Sequence, residues 1–110
     1  MPNQINSFQL TTSGVSSQSR LVDKTKPPSA TRTITTFAAS VNGTATYTLY
    51  YSYQQENSPD AITRWHALSS MNGVNTNVDD QFNRIVTALK LTQSSGDGQV
   101  TLDVIVENQS

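Results

Sequence analysis

An Asn-Gly pair set between two long β-forming runs constrains this chain more than any other feature. From Thr31 to Tyr53 the sequence reads TRTITTFAASVNGTATYTLYYSY, dense in Thr, Val, Ile, Tyr and Phe, whose branched and aromatic side chains suit a pleated strand. Asn42-Gly43 is the usual sequence of a two-residue type I′ turn, in which both central residues need φ > 0. The run therefore predicts a β-hairpin with Val41 opposite Thr44, and period-two alternation sets the rest of the register. One face then carries Ile34, Ala38, Tyr47, Leu49 and Tyr51 and points into a core. The other face, rich in threonine, carries Phe37, Val41 and Tyr50, and is either a subunit interface or is covered by a second sheet.

Further strands follow. Gln54 to Thr63 is a polar loop holding the turn-forming Ser58-Pro59-Asp60, and Arg64 to Met71 resumes an extended pattern that ends at a second Asn-Gly pair, Asn72-Gly73. Residues 75 to 83 are polar and read as a crossover loop or one helical turn. Ile85 to Thr92 favours a strand over a short helix. After the glycine-rich turn at 94 to 98, Val100, Leu102, Val104 and Val106 alternate with Thr101, Asp103, Ile105 and Glu107, the period of a half-buried strand. These last two strands predict a hairpin from about Ile85 to Glu107. Several short strands without a convincing helix place the chain in the all-β class, as an antiparallel β-sandwich or small barrel.

The front of the chain reads differently. Ile5, Phe8 and Leu10 are scattered among Ser, Thr and Gln, and Lys26-Pro27-Pro28 enforces an extended backbone. Residues 1–30 are expected to be an extended N-terminal arm on a sandwich body of residues 31–110. Arg20, Lys24, Lys26 and Arg32 face only Asp23 in the first 36 residues, so a basic arm precedes an acidic body. Such an arm can dock on a neighbouring subunit, and its removal up to residue 28 is expected to leave the body folded.

Bulk properties narrow the function. A length of 110 residues suits one domain, and with 14% charged residues and no cysteine the fold must hold by packing or assembly, without disulfides or thiolate metal sites. A net charge of −1 gives no field to steer nucleic acid or an anionic membrane. The amino-terminal stretch lacks the basic and apolar blocks of a secretory signal, and no apolar run is long enough to cross a bilayer as a helix.

Candidate chemistry is sparse. His66, the single histidine, cannot form a multi-histidine metal site and has no local triad signature, so a structural or surface place is expected. Asp60, Asp79, Asp80 and Asp97 do not follow a calcium-loop pattern, and Gly96-Asp97-Gly98 has no following helix to cradle phosphate. No catalytic residue, cofactor or metal is expected, and the chain is read as not an enzyme. Tyr47, Tyr50, Tyr51, Tyr53 and Trp65 could stack on sugars, with Tyr53 and Trp65 as the candidate platform, or could simply pack a core. Nucleobase stacking is disfavoured because it normally comes with a cationic groove.

The order of Thr46 to Tyr53, Trp65-His-Ala-Leu68, Ala88 to Thr92 and Ser95 to Val106 resembles the small all-β virion proteins of tailed bacteriophages. This resemblance covers about residues 45–106, with Lys90 in the place of a basic residue of the penultimate strand; the loop before Trp65 lacks the glycine of that pattern. It implies a virion structural protein, in first place a capsid decoration or cement protein that binds the major capsid protein or other virion proteins. The expected location is the virion, with host cytoplasm during assembly. A homo-oligomer is expected, a trimer favoured, with Ile5, Phe8, Leu10, Arg20, Lys24, Lys26, Phe37, Val41 and Tyr50 at the interface. A tail-associated adaptor and a carbohydrate-binding β-sandwich module are the alternatives.

Overall fold

The computed structural model describes residues 4–22, 32–82 and 86–109. They form eight strands, β1 (Gln4–Ser13), β2 (Ser16–Leu21), β3 (Arg32–Asn42), β4 (Thr46–Ser52), β5 (His66–Val74), β6 (Val78–Phe82), β7 (Ala88–Ser95) and β8 (Gln99–Gln109), with a 3-10 turn at Pro59–Ala61. The strands make two antiparallel four-stranded sheets packed as a sandwich, in the orders β1-β8-β3-β6 and β2-β7-β4-β5. There is no closed barrel. Among consecutive strands only β4 and β5 are neighbours in one sheet; every other connection crosses between the sheets.

That pattern has a simple origin. Gln4 pairs with Asn108, Ser16 with Gln93, Thr35 with Phe82 and Tyr51 with His66, so the chain is one long antiparallel ribbon whose tip is the β4–β5 loop. Rolling this ribbon over on itself splits its rungs alternately between two sheets, which gives the eight-stranded jelly roll. The sandwich expected from the sequence is therefore present, with a specific topology.

Both expected hairpins are corrected. β3 pairs with β8 and β6, whereas β4 pairs with β7 and β5, so Asn42-Gly43 carries the chain from one sheet to the other. Gly43 has φ 83°, but no residue other than glycine has positive φ among those described, so Asn42 cannot complete a type I′ turn. The segment around Gly96 and Gly98 likewise connects β7 to β8 in opposite sheets. The inward face of β3 changes with the pairing. Thr35, Phe37 and Ala39 are buried while Ile34, Thr36 and Ala38 are only half-buried. Tyr47 and Leu49 of β4 do point inward as expected, as do Val100, Leu102, Val104 and Val106 of β8.

Residues 4–22 of the expected arm supply one strand to each sheet, and Leu10 and Thr12 are core residues. Residues 75 to 83, expected as loop or helical turn, contain β6, because Val78 packs on the core and pairs with Ala39.

Crossing loops meet at one end of the sandwich. Gly98 N–H donates to Thr44 C=O at 2.8 Å and Gly14 N–H donates to Gly98 C=O at 3.0 Å. A Cβ at Gly98 would lie 2.5 Å from Asn42 O and 2.7 Å from Thr44 N, so only glycine admits this approach. Gln93, fully buried, ties the same end: its Nε2 donates to the carbonyls of Gly96 and Gly98, each at 3.1 Å, and its Oε1 accepts from Thr12 Oγ1 at 3.0 Å. Tyr47 is held by its hydroxyl, which donates to Thr76 C=O at 2.8 Å.

Candidate functional site

Near the tip of the ribbon the register of one sheet assembles an aromatic and cationic group. Lys90 on β7 lies beside Tyr50 on β4, which lies beside Ala67 on β5; Ser19 on β2 continues the same row. Side chains in one row project to one face, and this face is opposite to the buried Leu49 and Leu91, hence outer. The Lys90 ammonium stands 5.1 Å from the Tyr50 ring centre and 4.7 Å from that of Trp65, two cation–π contacts each worth about 0.5–1 kcal/mol at a surface. All three residues are half-buried.

A second aromatic group occupies the other side of the same strand pair. Tyr51 packs on the core and has its ring centre 5.6 Å from those of both Tyr53 and His66, with Tyr53 6.1 Å from His66. His66 is exposed and pairs with Tyr51 in the ladder, which gives it the surface place expected of it. Tyr53 and Trp65, the expected sugar platform, thus belong to two different groups. The loop between them is braced by Gln54, whose Oε1 accepts from Thr63 N–H at 2.9 Å and Arg64 N–H at 3.1 Å.

The expected interface residues scatter. Leu10 and Phe37 are buried in the chain's own core at 1% exposure each, which corrects their assignment to an interface. The cause is the inter-sheet crossing, which covers the face of β3 that a flat hairpin would leave outside. Val41 is half-buried against the same core. Phe8 packs on the core as well, and the Arg20 guanidinium covers its ring at 4.4 Å, closing the open side between β1 and β2. Ile5 lies in β1. Tyr50 is on the outer face described above. Lys24 and Lys26 lie outside the described residues.

Among the described residues no group of three or more His, Cys, Asp or Glu could hold a metal ion, and no buried side-chain nitrogen or oxygen lacks a hydrogen-bond partner. Burial pushes the Tyr47 phenol above its ordinary pKa, a structural effect in the core. No described helix is long and apolar enough to cross a membrane.

No family model matches the sequence, and no curated protein matches it. A solved structure does share its fold. A structure of Bacillus endospore appendages, described as forming a novel family of disulfide-linked pili, superposes with TM-score 0.52 and 7% identity over 97% of this chain and 88% of that one. A structure of infectious bursal disease virus, Gx strain, superposes with TM-score 0.38 and 15% identity over 97% of this chain and 32% of the other, too low a score to support any argument. The first likeness is one of fold alone.

The Lys90 contacts were out of reach of the sequence. Lys90 and Tyr50 meet only because β7 and β4 are neighbours, and alternation within a strand carries no record of its partner.

Proposed function

We propose that this chain is a structural assembly protein, and more narrowly a bacteriophage virion component of the capsid decoration type that stabilises a shell through contacts between subunits. The observation that carries the reading is the fold. The jelly roll superposes, over 97% of this chain, on a protein described as forming pili. The strand-and-turn resemblance to tailed-phage virion proteins over about residues 45–106 supports the narrower form. With no cysteine, this chain cannot be cross-linked as disulfide-linked pili are, so its assembly rests on surface contacts and paired strand edges. Repetition over many identical copies lets individually weak contacts hold a shell. Its partners are then the major capsid protein and further copies of itself, in the virion and, during assembly, in the host cytoplasm.

The decisive measurement is the copy number of this polypeptide in purified particles. A number on the scale of the shell subunits supports decoration, and a number on the scale of a tail ring moves the protein to the adaptor role. Complete absence from every particle fraction overturns the proposal.

The Lys90–Tyr50–Trp65 group favours a second reading, a sugar-binding module. Glycan binding lost in Trp65→Ala, with the fold retained, would replace the first reading by the second.

A further inference from the structure

The outer edges of the two sheets are β1 and β6 in one and β2 and β5 in the other. An uncovered edge presents unpaired backbone donors and acceptors, and sheets blunt such edges by shortness, charge, proline or bulges. Three of the four edges here carry those devices. β6 has five residues and bears Asp79 and Asp80. β5 is interrupted by register shifts against β4, and its Ser70 hydroxyl donates to Asp80 Oδ2 at 2.6 Å across the gap to β6. β2 has six residues and carries Arg20.

β1 is the exception. Its ten residues, QINSFQLTTS, include no charge and no proline, and they run in unbroken register with β8. Its end nearest the β1–β2 turn is closed: Thr11 N–H donates to Gln18 Oε1 at 2.6 Å, and Ser13 N–H to Ser16 Oγ at 3.3 Å. These bonds also show which way the backbone faces. In an antiparallel ladder the residues alternate between directing both backbone groups at the partner and directing both away. Since Thr11 and Ser13 point away from β8, so do Ile5, Ser7 and Gln9, and no described strand lies beyond them.

We infer that this half of β1 is the docking edge for a second copy of the chain, whose own β1 adds antiparallel about a two-fold axis through Ser7. The outward groups at Ile5, Ser7 and Gln9 are symmetric about Ser7, so two copies match themselves: Ser7 meets Ser7, and Ile5 meets Gln9. The uncharged strand brings no like-charge repulsion into that pairing, whereas an approach to β6 would set it against Asp79 and Asp80. Strand addition would fuse the two β1-β8-β3-β6 sheets into one eight-stranded sheet, an isologous contact of the kind that closes dimers. The inference rests on the assembly reading and names one of its contacts.

The test needs no particle: analytical ultracentrifugation of the purified full chain and of three variants, with circular dichroism on the same samples. Wild type is expected to be dimeric. Ser7→Pro removes one outward donor from each strand while sparing the β1–β8 ladder, and is expected to weaken the dimer about tenfold or more. Ser7→Lys and Ser7→Glu each place like charges face to face at the axis and are expected to be monomeric alone, and to form a mixed dimer when combined. A wild-type monomer at every concentration overturns the inference, as do folded Ser7→Lys and Ser7→Glu proteins that dimerise separately as well as together. Particle incorporation is read independently, so a chain that enters particles but never dimerises sinks this contact and leaves the assembly reading standing.

Discussion

Gln93 ties the loop end of the roll together through its side chain, and Gln93→Leu puts a number on that role. The leucine keeps the apolar bulk of a fully buried site but removes three hydrogen bonds. Their losses are unequal. Gly98 C=O still accepts from Gly14 N–H, and Gly96 is half-buried, so water can reach that end. Thr12 is only 2% exposed, and its hydroxyl loses its acceptor outright. A buried polar group left without a partner costs about 1–3 kcal/mol, and with the smaller loss at Gly96 the total is about 2–4 kcal/mol. In a domain of this size that lowers the melting temperature by roughly 10–20 °C. Urea unfolding followed by circular dichroism measures it, with an unchanged m-value expected. Adding Thr12→Val removes the orphaned hydroxyl and should recover about 1–2 kcal/mol of the loss. If the single variant unfolds at the wild-type midpoint, or if Thr12→Val adds its own full cost with no recovery, the role assigned to Gln93 is wrong.

Three further outcomes are expected. Gly98→Ala should prevent folding or cost several kcal/mol, because its Cβ meets backbone on two sides, whereas Gly73→Ala, with φ 66° but open space around it, should cost about 1 kcal/mol; thermal melts of the pair check the order. Deleting residues 1–22 removes a strand from each sheet together with Leu10, and the product should lack a cooperative unfolding transition, not remain a folded body. Tyr47 contributes an alkaline sensitivity of known sign: its folded pKa is raised, so its contribution is complete below the unfolded value of about 10 and is lost as pH rises through the folded value. Tyr47→Phe should flatten that part of the stability profile, measured by urea midpoints across the alkaline range.

The strands β3, β4, β7 and β8 were legible one by one, while β2, β6 and the partners within each sheet were not. Val100 to Val106 alternate so cleanly that their burial could be read directly, and Tyr47 and Leu49 were placed on the correct face. What alternation leaves open is the neighbour. Asn42-Gly43 suits a tight hairpin, yet the chain there must travel between layers, and contacts from Gly98, more than fifty residues on, hold that crossing. That one difference moved Phe37 from an expected interface into the core. For the candidate site, the aromatic residues could be picked out individually, but their division into two groups on opposite sides of β4 depends on where Lys90 and His66 are delivered by their own strands. β6 was hidden because it is short and polar, with Val78 its one apolar anchor among residues whose side chains are described.

The pairing of Gln4 with Asn108 brings the beginning and the end of the roll together at one corner. A tag or cargo domain joined at either side would leave from that same corner, and a short bridge between the two could close the chain into a ring. New ends could then be opened in the loop between Ser52 and His66, at the ribbon tip, giving a permuted protein whose attachment point faces elsewhere while all eight strands keep their partners.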